Sequence, residues 1–161
     1  MSDRRDRLAE RRRNAGLSTA RFIDVVDGEK KSVDHEQHEP SGVTGNYGVY
    51  ATGADALVVL DIDDYGDFED KSGYSALSRL PPTLEQGSPH GGTHRFYAVS
   101  PTDDGSLVAK ALDDAFGKPN LAASWGEVRT KNQYVVGAGS QLDGCGKEWC
   151  DDCADPDGGH Y

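Results

Sequence analysis

Asp61 and Asp63 stand two residues apart at the end of an apolar run, Leu57-Val58-Val59-Leu60-Asp61-Ile62-Asp63. In a strand, side chains alternate, so both carboxylates would share one face while Ile62 turns to the other. Carboxylates held this close repel each other unless a cation lies between them. Hard divalent ions such as Mg²⁺ and Mn²⁺ are bound by such groups, commonly together with substrate phosphates. A plainer reading is a strand that runs out into a solvated acidic turn, because Asp64, Asp67, Glu69 and Asp70 follow.

Two further segments carry chemistry. In Ser88-Pro89-His90-Gly91-Gly92-Thr93-His94 the glycines allow close backbone approach, and free N–H groups there can cradle a phosphate. His94 then opens a predicted strand, which makes it a phosphate or nucleotide ligand; the bland reading is a surface turn. In Trp125-Gly126-Glu127-Val128-Arg129, Glu127 and Arg129 share a strand face. They form either a surface ion pair or a third metal carboxylate beside a guanidinium aimed at phosphate, which Arg binds by paired hydrogen bonds. Separately, Cys145, Cys150, Cys153 and His160 follow a C-x₄-C-x₂-C…H pattern suited to a structural Zn²⁺. Three cysteines are an odd count for a disulfide framework; the alternative is reduced, unligated thiols.

The elements that must position these groups can be read in outline. Residues 2–14 predict a polar helix stopped by Ala15-Gly16, and 21–26 a strand ending at Asp27-Gly28. Residues 29–46 read as a solvated connector. Residues 48–52 and 56–61 predict a strand pair joined around Gly53-Ala54-Asp55, and 73–80 a helix ended by Pro81-Pro82. A strand at 93–99, a helix at 106–116 and strands at 125–129 and 133–137 complete the sheet. Helices and strands mix without strict alternation, so the fold class is α+β, a mixed or antiparallel central sheet flanked by helices. The expected division is a basic arm at 1–16, a core at 17–142 and a Cys-rich segment at 143–161.

The chain has 161 residues, enough for one domain with a substantial core. No apolar run approaches the ~18 residues of a membrane span and no signal peptide is evident, so a cytoplasmic, membrane-free protein is expected. The net charge is −11. The acid is spread through loops rather than gathered in one tail, which favours a halophilic surface over a site for basic partners. Residues 1–13 run against this trend, with six Arg against Asp3, Asp6 and Glu10. They read either as a phosphate-contacting helix or as a salt-bridged surface helix.

Taken in order, the D-I-D strand, Leu80-Pro81-Pro82-Thr83, S-P-H-G-G-T-H, W-G-E-V-R-T and Y-V-V-G-A-G-S resemble the bifunctional DNA primase/polymerase domain of the archaeo-eukaryotic primase superfamily. The resemblance runs from about residue 21 to 140. It implies a primase-like catalytic core in which Asp61, Asp63 and Glu127 hold two Mg²⁺ or Mn²⁺ ions for phosphoryl transfer. One ion would activate a primer 3′-hydroxyl and the other steady the leaving pyrophosphate. Ser88, Gly91, Gly92, Thr93, His94 and Arg129 would bind the incoming nucleotide, with His94 matching the family's small-x-His motif. The family usually has Asp where Glu127 stands, and a proline-serine turn where this chain has Gly139-Ser140. Implied partners are DNA template and primer, nucleoside triphosphates and a separate replicative helicase, since no G-x-x-x-x-G-K-[ST] loop is present. Two alternatives stay open: a catalytically inactive replication module that binds DNA or a helicase, and a metal-dependent phosphodiesterase.

Overall fold

The computed structural model describes residues 2–51, 57–63, 77–98, 120–123, 126–129, 133–144, 147–150 and 159–161. The chain divides into two compact units, one formed by Met1–Tyr50 with Tyr134–Tyr161 and the other by Ala51–Gln133. The described residues form an α+β structure with one α-helix and two sheets.

In the first unit, α1 (Ser2–Asn14) has Asp3 in its first turn and Arg11, Arg12 and Arg13 in its last, complementing the helix dipole at both ends. Its buried stripe is Arg5, Leu8, Ala9 and Arg12, the spacing of one helical face. Gly16, at φ 73°, ends the helix, and the Leu17 N–H turns back to the Arg12 carbonyl at 2.9 Å. Two of the six arginines are therefore structural. Arg5 donates to the Val43 carbonyl and lies over the Tyr47 ring, 5.6 Å from its centroid, while Arg12 Nε donates to the Ser18 carbonyl at 2.7 Å. Arg7 pairs with Asp3 on the open surface, where such a pair contributes little.

A three-stranded sheet in the order β1-β2-β8 completes this unit, formed by β1 (Phe22–Asp24), β2 (Tyr47–Ala51) and β8 (Gln133–Val136). β1 and β2 are antiparallel, with Phe22 opposite Val49. Phe22, Ile23, Val43, Tyr47, Val49 and Leu142 are almost wholly buried. Tyr47 donates to the Ala138 carbonyl at 2.9 Å. Burial pushes its phenol up to about 12, against the opposing charges of Arg5 and Arg4. The connector at 29–46 is more than a solvated link. It forms bridges from Phe22 to His38 and from Val25 to Ser32, and buries Val43 and Asn46. Asn46 clamps Gln141, donating to its carbonyl at 2.6 Å and accepting from its N–H at 3.0 Å.

The second unit holds a five-stranded antiparallel sheet, built from β3 (Leu57–Ile62), β4 (Leu84–Gly87), β5 (Thr93–Ala98), β6 (Asn120–Ala123) and β7 (Gly126–Arg129). Its order is β4-β5-β3-β7-β6. On one face Leu60, Ile62, Val128 and Leu77 form a core, with Val58 and Tyr97 packed against it. The segment before β4 is strapped to β5: Thr83 donates to the Phe96 carbonyl, Tyr97 to Pro81 at 3.0 Å and Arg95 to Leu77 at 3.4 Å.

Several expectations need correction. β2 and β3 are not a pair, since they lie in different sheets, and β7 and β8 do not complete one sheet, since β8 lies with β1 and β2. All five β2 residues are buried, as suits a strand with a neighbour on each side. β4 and β6 were not expected. β4 is an edge strand with three of its four residues exposed, and β6 reads Asn-Leu-Ala-Ala, so neither carries a strong strand pattern. The helix expected at 106–116 lies outside the described residues, as does that at 73–80 apart from the turn at 77–80. Among the described residues no helix is long and apolar enough to cross a membrane.

Candidate active site

The antiparallel register carries the site. Asp61 on β3 is opposite His94 on β5 and Glu127 on β7, and His94 is opposite Gln86 on β4. Paired residues project to the same side of a sheet, so Gln86, His94, Asp61 and Glu127 form one row across four strands. Arg129, two residues beyond Glu127, shares that face. The opposite face carries the Leu60–Ile62–Val128 core, which fixes the strands from behind.

Asp61 is the hub. Its Oδ1 lies 3.2 Å from His94 Nε2. Its Oδ2 accepts from Arg129 Nη2 at 2.9 Å and from Arg129 Nε at 3.1 Å. Arg129 Nη2 also lies 2.8 Å from Glu127 Oε2, so one guanidinium bridges the two carboxylates. Burial by itself pushes the Asp61 carboxyl up, but the interactions with His94 and then Arg129 outweigh it and bring it down to about 2. His94 is buried, and its other ring nitrogen, Nδ1, sits 2.8 Å from Gln86 Nε2.

Glycines allow the close packing. Gly126 has φ 146°, and a side chain on it would run into the Asp61 carbonyl oxygen. β7 can therefore press against β3 only without a Cβ at this position. A Cβ on Gly92 would lie 2.5 Å from the Ile62 carbonyl and 2.8 Å from Ser88 Oγ. The β4–β5 connection thus folds onto the strand end that leads to Asp63. Within it, Gly91, at φ 77°, donates its N–H to the Ser88 carbonyl at 3.1 Å, so that N–H is engaged in the turn.

The structure thus brings Asp61, Glu127, His94 and Arg129 together. Asp63 follows β3 and is exposed. Thr93 is opposite Ile62 and so belongs to the core-facing side rather than to the His94 side. Ser88 and Gly91 close the hairpin. Among the described residues no three His, Cys, Asp or Glu side chains form a ready metal cage; Arg129 lies between Asp61 and Glu127. Of the cysteine group, Cys150 is half-buried, and His160 is exposed and bridged to Gln141. Cys145 and Cys153 lie outside the described residues. Gln86 and Gly126 had no assigned role in the sequence reading. A hairpin register across residues 88–92 would have placed Gln86 beside His94, but a polar residue on a short edge strand gives no periodic signal.

Comparison with known proteins bears on this arrangement. No curated protein matches the chain, and no solved structure does. The family described as bifunctional DNA primase/polymerase, N-terminal, matches residues 9–158, nearly the whole chain and every residue of the row. The chain belongs to the bifunctional DNA primase/polymerase N-terminal family.

Proposed function

We propose that the polar face of the five-stranded sheet is a nucleotidyltransferase site that adds nucleotides to a nucleic-acid 3′ end during DNA replication. The observation that carries this reading is the single row joining Asp61, Glu127 and His94 in register, with Arg129 on the same face. The donor chemistry fits hard divalent ions. Asp61, Asp63 and Glu127 offer carboxylate oxygens, and an ionised carboxylate has about four acceptor sites, so Asp61 keeps capacity beyond its bonds to His94 and Arg129. These three residues would hold Mg²⁺ or Mn²⁺, which when bound supplies activation of the attacking hydroxyl and neutralisation of charge on the leaving group.

The protein's own part is positioning and electrostatics. The hydrophobic core behind the sheet fixes the spacing of the carboxylates. His94 and Arg129, which donate to Asp61 in this state, are the donors available to an incoming triphosphate. Arg129 suits that role because its planar fork matches phosphate oxygens. Glu127 brings a side chain one methylene longer than Asp, on a strand that Gly126 lets approach Asp61 closely. We further propose that Cys145, Cys150, Cys153 and His160 hold a structural Zn²⁺, to be read as one equivalent of tightly bound zinc by metal analysis.

The deciding experiment is extension of a labelled primer on a single-stranded template, in high KCl with Mn²⁺ or Mg²⁺. The wild-type protein is compared with Asp61→Ala/Asp63→Ala. Extension by the wild type and none by the double variant is expected. Folded wild-type protein that binds DNA without extending it would favour the replication-module reading, and metal-dependent loss of DNA the phosphodiesterase reading.

A further inference from the structure

Gln86 is the one member of the polar row that the proposed chemistry does not use, and it is buried at 8 % exposure. A buried amide costs free energy unless it is hydrogen-bonded, so its placement calls for a partner. The register supplies one: β4 and β5 pair Gln86 with His94, and Gln86 Nε2 sits 2.8 Å from His94 Nδ1. An amide nitrogen can only donate, so with the amide in this orientation Nδ1 is the accepting nitrogen of the ring. Nε2 then carries the hydrogen, and Nε2 is the atom 3.2 Å from Asp61 Oδ1. The hydrogen-bond direction is therefore continuous, from Gln86 to His94 to Asp61.

We propose that Gln86 is a positioning residue that fixes the orientation and tautomer of His94, so that a ring N–H is always presented to the reaction face. An imidazole held on one side only can turn over, which puts a C–H where Nε2 stood, or exchange tautomers, which presents a lone pair to Asp61 or to a phosphate oxygen. The partner of the second nitrogen settles which nitrogen bears the hydrogen. Gln86 is not among the residues proposed to hold the ions or the nucleotide and acts through His94. The significance for nucleotide addition rests on the function proposed above; the hydrogen-bond pattern itself does not.

The test uses the full chain with ¹⁵N-labelled histidine. Long-range ¹H–¹⁵N correlation of the His94 ring, without added metal, reads the tautomer. Affinity for dATP with Ca²⁺ reads the consequence in a complex that does not turn over. The wild type is expected to show a single Nε2–H tautomer. Gln86→Met keeps volume but offers no hydrogen bond; it is expected to give mixed tautomers and dATP binding weakened about tenfold, the scale of one lost partner. Gln86→Glu keeps the length but can only accept, and is expected to turn Nδ1 into a donor. It also serves if the Met variant does not fold. An Nδ1–H tautomer in the wild type overturns the proposal, as does an unchanged ring pattern in either folded variant. If the wild type neither binds dATP nor extends a primer, the functional reading fails while the ring spectrum still decides the role of Gln86.

Discussion

Asp61 concentrates the chemistry of the site, and its environment makes two predictions. Its carboxyl is held down at about 2 from an ordinary 3.8. A carboxyl depressed in the folded state adds stability that is fully present above its unfolded pKa and lost as pH falls through the folded one. The contribution is therefore present above about pH 4 and disappears between about pH 4 and pH 2. Its size is about 2 kcal/mol. Urea denaturation from pH 6 down to pH 2 should show this loss in the wild type and its absence in Asp61→Asn; equal acid profiles would remove Asp61 from the account. Catalytically, Asp61→Ala alone should lower primer extension on the order of 10³-fold or more, because it removes a proposed ligand and the anchor of both His94 and Arg129. Single-turnover extension rates measure this directly. Asp63, expected on the strand face of Asp61, lies beyond the end of β3, whereas the shared face of Glu127 and Arg129 was legible in the sequence because strand parity is local. Their meeting with Asp61 at one hub was not, because that depends on which strands are neighbours.

At the level of elements, β7 has no room for a side chain at its first residue, Gly126. Gly126→Ala should destabilise the protein by about 3 kcal/mol or more, since the new methyl competes with the Asp61 backbone and the φ of this residue suits only glycine. Chemical denaturation gives the magnitude, and a loss below about 1 kcal/mol would show that β7 can slide away without cost. In α1, Arg12→Ala should cost about 2 kcal/mol through a lost buried bond to Ser18 and lost packing of its stem, whereas Arg11→Ala on the exposed side should be near neutral. Thermal melts of the two variants separate an anchoring helix from a purely solvated one. The helix itself was readable to the residue, from its charges and the Ala15-Gly16 stop. The strand pairings were less legible: β2 and β3 are consecutive and both apolar, so a hairpin was the local inference, yet β2 lies between β1 and the distant β8, and β3 between β5 and β7. β4 escaped notice because its exposed Leu-Glu side and flanking prolines imitate a loop.

For the whole molecule, charge is the dominant global property. With 28 acidic against 17 basic side chains, mutual repulsion opposes the compact state and is relieved by screening. The melting temperature should rise as KCl is increased, and a fall or aggregation would reject the halophilic reading. The α+β class and the family were legible because composition and ordered motifs spread over most of the chain. The division into two units was not, because the first unit is assembled from both ends of the sequence. One consequence of the bridging guanidinium concerns how the protein matures. Arg129 gives the Asp61–Glu127 pair a counter-ion that is part of the polypeptide. On the proposed two-metal reading, a newly made chain would close this sheet before any metal binds, and folding would be separate from activation. Amide protection in β3, β5 and β7 should then be the same in a chelator as in Mg²⁺, and should fall in Arg129→Ala, where the two carboxylates face each other unscreened.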